Sequence, residues 1–342
     1  MMPTATATVG ASPLRTVRLA RRALLMPALV LVAVALLPQL EPVRHRFAAT
    51  RPGWVVVALF LQLASTLLFV DAFRGAFARR IGWRAAFDLA AVEQGANILL
   101  PSGGSGGLVL GAALLVRSGV PASFAARRTA VLFIVTSAAS FAALILAGVA
   151  VALRVVDGGT SIAAGTLPAA GAALVMLAAV QLPHRLPLAS EGGGRIRRAA
   201  RRVQLLLRDA IDTSLELIRG RDVFLIGGAV GYLAFDIASL AAAFHALGHA
   251  PLALGPFVLA YVLGHAGAMV PAPGSAEGGL VGLLVAYGSP LSLAIGAVLV
   301  YRTFHAGVPL TLAVAGYADI RALRRERRPA KKAPATTSHP AC

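Results

Sequence analysis

Two glycine- and proline-rich stretches interrupt long apolar regions of the chain: residues 101–107 read PSGGSGG and residues 271–279 read PAPGSAEGG. The apolar regions around them extend from 85 to 116 and from 255 to 287. Proline and runs of glycine interrupt helices, so each region divides into two apolar arms. We therefore predict two broken helical hairpins with arms of roughly 12 to 17 residues, which is short for a membrane crossing.

The composition around these hairpins is typical of a membrane protein. The chain has 342 residues, of which 58% are hydrophobic and 13% are charged, and its mean hydropathy is +0.77. Soluble domains carry about 25% charged residues, and a helix needs about 20 apolar residues to cross a bilayer. Six runs have that length, near residues 23–40, 54–73, 129–153, 161–182, 223–247 and 291–317. The predicted fold is an all-α polytopic helical membrane protein with about six full crossings and the two broken hairpins.

The basic residues indicate a topology. The net charge of +18 comes from arginines clustered between the apolar runs, and such clusters mark the cytoplasmic side of a membrane protein. Because few aromatic residues accompany them, we expect no nucleic acid as a partner. The segments predicted to be cytoplasmic are Arg15–Arg22, Arg74–Arg84, Arg117–Arg128, residues 183–221 and Arg321–Lys332, so both termini are placed inside a cell (inner) membrane. Arg44, Arg46 and Arg51 do not fit, because they fall in a loop predicted to lie outside.

The two hairpin regions resemble copies of one unit. A shift of 172 positions aligns Pro101 with Pro273, and it aligns GGLV at residues 106–109 with GGLV at residues 278–281. The basic segments then require the first hairpin to enter and leave on the cytoplasmic side and the second hairpin to do so from outside. The two half-repeats, 23–153 and 161–317, thus have opposite orientation. Inverted repeats with broken helices are typical of carriers whose substrate site lies near the midplane. Fully crossing arms would give ten spans with the same loop polarity, so both arrangements stay open.

Three segments make up the predicted domain organisation. Residues 1–22 form a basic cytoplasmic N-terminus, 23–317 a single transmembrane domain, and 318–342 a basic, disordered cytoplasmic tail. Within the cytoplasmic loop 183–221, residues 195–218 place apolar and basic side chains on opposite sides of a helix. We expect this helix either to lie on anionic inner-leaflet lipid or to be a solvated connector between the halves.

Polar residues inside apolar segments are rare and mark candidate sites. Glu93 and Asn97 stand four positions apart, so they share the helix face that leads into the first break. This face is expected either to line the substrate path or to form hydrogen bonds between packed helices.

The glycines at the two breaks suggest a second kind of site. Helices that begin near Gly106 and Gly278 direct N–H groups toward the midplane, where they are suited to bind phosphate. The alternative is close helix packing through Gly107 and Gly111, and through Gly278 and Gly282. The full set of predicted substrate-binding residues is Glu93, Asn97, Ser102, Gly103, Gly106, Gly107, Gly274, Ser275, Glu277, Arg302 and Asp236.

Arg302 lies inside the last crossing and needs a partner there. We predict that it pairs with Glu277 and that an anionic headgroup competes for it. Asp236 is an alternative partner for Arg302, or a proton-coupling carboxylate. His265 and His305 are expected to form helix-packing hydrogen bonds, because no spacing in the sequence predicts a metal site. We expect no cofactor and no catalytic residue, since nothing resembles a Ser/His/Asp triad, a P-loop or a Cys-x-x-Cys pair.

Several motifs resemble one known family. They are NILLP at residues 97–101, LLVRSGVP at 114–121, PAPG at 271–274 with Glu277, and VYR at 300–302. Together they resemble the lysylphosphatidylglycerol synthase transmembrane family, the flippase-like proteins, and the resemblance covers most of the chain. That family commonly has an acidic residue and an arginine after the first glycine-rich element. This chain has Gly107, Leu108 and Leu110 there, so no headgroup contact is carried over to those positions.

The resemblance implies movement of a phospholipid or lipid-linked molecule between membrane leaflets. It implies a membrane lipid substrate, either an anionic phospholipid or a polyprenyl-linked species. Synthase members transfer the aminoacyl group with a separate soluble domain, so we do not expect this chain to be an enzyme. The alternatives are a secondary carrier for a small soluble anion and an accessory membrane subunit of cell-envelope glycolipid synthesis.

Overall fold

The computed structural model of the chain describes residues 41–77, 80–99, 105–117, 120–155, 161–187, 194–266 and 274–326. Every regular element among these residues is an α-helix, which confirms the predicted all-α fold. The helices are α1 (Glu41–Ala48), α2 (Pro52–Ala76), α3 (Trp83–Leu99), α4 (Ser105–Arg117), α5 (Ala122–Ala152), α6 (Ile162–Arg185), α7 (Arg195–Arg219), α8 (Val223–Ala246), α9 (Leu254–Ala266), α10 (Ser275–Ala286) and α11 (Leu291–Glu326).

Five long helices provide membrane crossings. α2, α5, α6, α8 and α11 are each long and apolar enough to span a bilayer, which confirms five of the predicted crossings. The remaining one, at residues 23–40, lies outside the described residues. α11 continues to Glu326, so the segment after residue 317, predicted to be tail, begins as helix. The chain is therefore a multi-pass helical membrane protein.

The two predicted hairpins are present as pairs of short helices. α3 and α4 have 17 and 13 residues, and α9 and α10 have 13 and 12. At about 1.5 Å per residue, the longest arm extends only about 26 Å, whereas the hydrocarbon core is about 30 Å thick. α3 packs on α4, and α9 packs on α10. The breaks between the arms, at 100–104 and 267–273, lie outside the described residues.

α2 and α8 pack closely against each other at the centre of the molecule. The Ser65 hydroxyl on α2 donates to the Tyr232 carbonyl at 3.0 Å, and the Ser239 hydroxyl on α8 donates to the Ala58 carbonyl at 3.0 Å. The earlier residue on α2 thus meets the later residue on α8, so the two helices are antiparallel. Their backbones approach closely at Gly75, because a Cβ built there would lie 2.6 Å from the α8 backbone.

Contacts between helix ends define an arginine-rich end of the molecule. Arg84, in the first turn of α3, pairs with Asp319 near the end of α11 at 3.0 Å. Arg127 on α5 pairs with Asp209 on α7 at 3.3 Å. Arg128 donates to the last carbonyl of α2 at 3.2 Å, and α4 ends shortly before α5 begins. Both outer ends of the first hairpin therefore lie at the arginine-rich end.

The second hairpin begins and ends at the opposite end. Tyr287, directly after α10, donates its hydroxyl proton to the Ala164 carbonyl at the start of α6 at 2.9 Å. The guanidinium of Arg46 donates to Ser292 at 3.1 Å and contacts His249, in the loop before α9, at 3.2 Å. Arg46 thus lies where the sequence placed it, at the end opposite to the other arginine clusters.

Each end of the molecule has its own apolar core. The core at the arginine-rich end contains Phe73, Phe77 and Leu132 together with residues of α3, α4 and the first part of α8. The core at the opposite end contains Phe244 and Phe257 together with residues of α9, α10 and the first part of α11. Each hairpin is thus held by the core of the end from which it enters.

The predicted amphipathic helix is confirmed as α7, which runs along α5 and α6. The apolar side of α7 is covered by protein along only part of its length. Ala210 and Ile211 are buried against protein, whereas 86% of Ile196 and 55% of Val203 are exposed. Arg208 holds the helix in place, because it donates to the Pro183 carbonyl at the end of α6 at 2.6 Å. The first half of α7 therefore presents uncovered apolar side chains at the arginine-rich end.

Candidate functional site

A group of polar side chains is buried where α8, α9 and α11 meet. Asp236, near the middle of α8, is 2% exposed. Its carboxylate accepts hydrogen bonds from the hydroxyls of Tyr261 and Tyr301, the latter at 3.0 Å, and lies 3.1 Å from Nδ1 of His305. Asp236 is therefore bound on several sides by groups from two other helices.

His265 completes this group. Its Nδ1 lies 2.8 Å from the Tyr261 carbonyl, and a carbonyl only accepts, so Nδ1 carries the proton and donates it. Its Nε2 then faces the Tyr301 hydroxyl at 3.4 Å. The same hydroxyl lies 2.9 Å from Nδ1 of His305. We call Asp236, Tyr261, His265, Tyr301 and His305 the polar cluster.

Helix periodicity explains how two helices supply four of these side chains. Tyr261 and His265 stand four residues apart on α9, and Tyr301 and His305 stand four residues apart on α11, so each pair lies on one helix face. Neither tyrosine was predicted from the sequence as a site residue, and the two histidines were predicted to form separate helix-packing hydrogen bonds. The repeated Tyr-x-x-x-His pattern on two helices is the signal that indicates a shared site.

Arg302 and Glu277 form the predicted ion pair next to the polar cluster. Nε of Arg302 lies 3.3 Å from Oε1 of Glu277, and the side chains are 19% and 46% exposed. The alternative pairing of Arg302 with Asp236 is wrong, because Asp236 is bound to the tyrosines and His305. Nε and Nη2 of Arg302 are buried and form no hydrogen bond with the residues that the structure describes, so the guanidinium keeps donors that a further acceptor can use.

The two helices that flank the first break pack closely against each other. The Asn97 side-chain oxygen accepts the Gly107 N–H at 2.8 Å, so an amide of the first turn of α4, which also contains Gly106, is already paired. A Cβ on Gly107 would overlap the Glu93 carbonyl oxygen, and a Cβ on Gly111 would lie 2.6 Å from the Glu93 carboxylate. Glu93 and Asn97 therefore face α4, which favours the packing interpretation of this face. Ser102 and Gly103 lie outside the described residues.

The start of α10, which follows the second break, is less closely packed. Gly274 has a φ of +79° and precedes α10, a left-handed conformation that favours glycine. α10 begins at Ser275, close to the predicted start near Gly278, but the Gly278 N–H itself is paired with the Gly274 carbonyl at 2.8 Å. No described atom lies within 4 Å of a Cβ built on Gly278 or Gly282, so the described residues do not support the alternative of close packing through these two glycines.

An apolar groove of about 390 Å³ lies between α5, α8 and α9. Its lining includes Leu146, Leu233, Ile237 and Val258. Ile237 follows Asp236 directly in the sequence, so the groove and the polar cluster use different faces of α8.

Apolar crossings, paired short helices and ionisable groups buried midway along the helices define a polytopic membrane protein with a polar centre inside the bilayer. The family model described as "Lysylphosphatidylglycerol synthase TM region" matches residues 23–313. The chain therefore belongs to this family, as its motifs indicated. Among curated proteins, none matches the chain significantly.

Proposed function

We propose that this chain is a flippase-like lipid carrier that moves a phospholipid or lipid-linked molecule between the leaflets of the cell membrane. One observation carries the proposal: Arg302 lies inside a membrane-crossing helix, its partner is a half-exposed carboxylate, and two of its guanidinium donors form no hydrogen bond with any described atom. A charge in this position is costly and needs a function or a full set of partners. An anionic headgroup would supply the missing acceptors.

The packing of the helices supports an inverted repeat. α2 and α8 occupy corresponding positions in the two predicted halves, and they are antiparallel. The first hairpin packs on α11 through α3, and the second packs on α5 through α9, so each hairpin contacts the last crossing of the other half. The two hairpins also enter from opposite ends. This exchange of contacts is expected when two similar halves are related by a two-fold axis in the membrane plane.

The register of α3 on α11 supports a meeting of both breaks near Arg302. Arg84 pairs with Asp319, and farther along α3 a Cβ on Gly95 would lie 3.3 Å from the Pro309 carbonyl. The helices are thus antiparallel, and the same register brings Leu99, at the end of α3, to the level of His305. From the other half, Glu277 in the first turn of α10 contacts Arg302. The arms next to the two breaks therefore reach the same part of α11.

The chemistry of Arg302 suits a phosphate-bearing headgroup. A guanidinium binds phosphate with paired hydrogen bonds and keeps its charge at any physiological pH. Glu277 is the group that the headgroup would replace, and displacement of this 46% exposed side chain would give the headgroup access to the buried guanidinium donors. The apolar groove between α5, α8 and α9 would hold part of a hydrocarbon chain while the headgroup crosses.

The proposal also includes the orientation of the chain in the membrane and the position of α7. We infer that the arginine-rich end faces the cytoplasm and that the first half of α7 lies on anionic inner-leaflet lipid, because it has uncovered apolar side chains beside arginines. Transport requires no covalent chemistry, so the proposal assigns no catalytic residue and no enzyme activity to the chain.

Reconstitution tests the proposal. Purified protein in vesicles that contain a fluorescent anionic phospholipid should expose inner-leaflet label to an external quencher. Arg302→Ala should abolish this transfer, and Arg302→Lys should reduce it at least about tenfold, because lysine lacks the paired donors of the guanidinium. Arg84→Ala, which removes an exposed arginine from a surface ion pair, is the matched control and should transfer lipid normally.

Two results would count against the lipid carrier. Normal transfer by both Arg302 variants would reject the role of this residue. Uptake of a soluble anion by vesicles that show no transfer of any anionic lipid would instead identify a carrier for small anions.

A further inference from the structure

We propose that Asp236, His265 and His305 bind one divalent transition-metal ion of the zinc type in the centre of the membrane domain. The three residues come from α8, α9 and α11, and one ligand atom from each lies within 4.8 Å of the others. A carboxylate oxygen and two imidazole nitrogens are a donor set that zinc and similar ions prefer. Tetrahedral bonds of about 2.0–2.2 Å place the ligand atoms about 3.4 Å apart, so binding would draw these side chains together by roughly 1 Å.

The orientation of His265 is suited to a metal ligand. Its Nδ1–H donates to the Tyr261 carbonyl at 2.8 Å, which fixes the tautomer and directs the lone pair of Nε2 into the polar cluster. Histidines that bind metals almost always donate their other ring N–H to a carbonyl, a carboxylate or water. The Tyr261 and Tyr301 hydroxyls hold the Asp236 carboxylate in a comparable way.

A hydrogen-bonded network without an ion is the competing explanation. Asp236 already accepts from Tyr261 and lies 3.1 Å from His305 Nδ1, so the single Tyr301 proton is shared between Asp236 at 3.0 Å and His265 Nε2 at 3.4 Å. The contact with Asp236 is the shorter one, and when Tyr301 donates there, the Nε2 lone pair of His265 has no donor among the described residues. A buried lone pair without a partner is unfavourable, and a bound cation would use it.

The charges around the cluster also fit a cation. Asp236 brings one negative charge into a buried place, and the neighbouring cation, Arg302, is paired with Glu277 and not with Asp236. A divalent ion held by one carboxylate and two neutral imidazoles keeps net positive charge. With three protein ligands it also keeps an open position, as in sites that bind water or a substrate oxygen.

The test uses the full chain with Cys342→Ser, purified through a tag without histidine and freed of metal with a chelator. Zn²⁺ alone should then bind with one ion per chain and raise the thermal unfolding midpoint. Co²⁺ should give the visible absorption of a low-symmetry nitrogen and oxygen site, and Zn²⁺ should remove it. His265→Ala and His305→Ala should each weaken binding at least about 100-fold, and Tyr301→Phe should weaken it about 10- to 100-fold, as loss of a supporting contact does.

The control is His184→Ala, which removes a partly exposed histidine far from the cluster and should bind zinc like the parent protein. If the parent chain binds no ion and shows no shift in its unfolding midpoint, the proposal is wrong, whether or not the cluster variants fold. Equal loss of binding in the His184 control would also overturn it. Because no lipid takes part, this outcome is independent of the test of lipid transfer.

Discussion

Glu93 and Asp236 are both buried carboxylates, but their surroundings differ. Asp236 accepts hydrogen bonds from two tyrosine hydroxyls. Glu93 is 1% exposed, and neither of its carboxylate oxygens has a hydrogen-bond partner in the described part of the chain. A buried polar group without a partner costs about 1–3 kcal/mol. Two residues that hydropathy alone treats alike thus have opposite effects on stability.

Glu93→Met tests this difference. Methionine has a similar length and fills the space beside Gly111 without a polar atom that needs a partner, so the free energy of unfolding should rise by about 1 kcal/mol. The measurement is thermal or denaturant unfolding of the purified protein. Asp236→Asn, which disturbs a bonded carboxylate, should lower stability in the same assay. Loss of stability in Glu93→Met would show that the carboxylate has a stabilising partner.

At the scale of single helices, the sequence predicted the length of the elements and not their surroundings. Runs of apolar residues gave five crossings and short hairpin arms, because hydropathy determines how much of a helix a bilayer can hold. The same pattern treated the two glycine-rich breaks as equivalent. The structure separates them, since Gly107 packs against α3 whereas Gly278 faces open space. Whether a glycine is closely packed depends on contacts between helices, and residue spacing within one helix does not reveal those contacts.

The two glycines therefore predict opposite effects of one substitution. Gly107→Ala should destabilise the protein by about 1–3 kcal/mol, because its methyl group overlaps the α3 backbone at Glu93. Gly278→Ala has space around it and lies inside α10, so it should be neutral or stabilise by up to about 1 kcal/mol. Unfolding midpoints of the two variants, measured in the same detergent, provide the comparison. Similar losses in both would mean that the second break is also packed.

The polar cluster could not be predicted from the sequences of single helices. Asp236, His265 and His305 are separated by long stretches of sequence, and no local spacing joins them. Arg302 and Glu277 were predicted to pair because buried charges are few and each needs a partner. A tyrosine carries no charge that must be compensated, so its presence in an apolar helix does not by itself predict a partner. Tyr261 and Tyr301 were therefore missed.

For the whole molecule, the distribution of arginine gives the strongest statement about orientation. The segments predicted to be cytoplasmic meet at one end through Arg84, Arg127 and Arg128. Arg46 at the opposite end is bound to Ser292 and His249, so its side chain is held by the protein surface. The few arginines at that end, which include Arg46, Arg51 and Arg154, are outnumbered by those at the arginine-rich end. By the positive-inside rule, we therefore propose that the arginine-rich end faces the cytoplasm.

Single cysteines test that orientation in a Cys342→Ser background. Ala250→Cys lies in the exposed loop before α9, at the end opposite to the arginine clusters. Gly194→Cys lies before α7, where a Cβ meets no described atom within 4 Å. A membrane-impermeant maleimide should label Ala250→Cys in intact cells and should label Gly194→Cys only after the membrane is opened. Since α2 and α8 fix the two ends relative to each other, reversed labelling would mean that the entire molecule has the opposite orientation. The first hairpin would then enter from the outside, and Arg302 would still lie inside the crossing formed by α11.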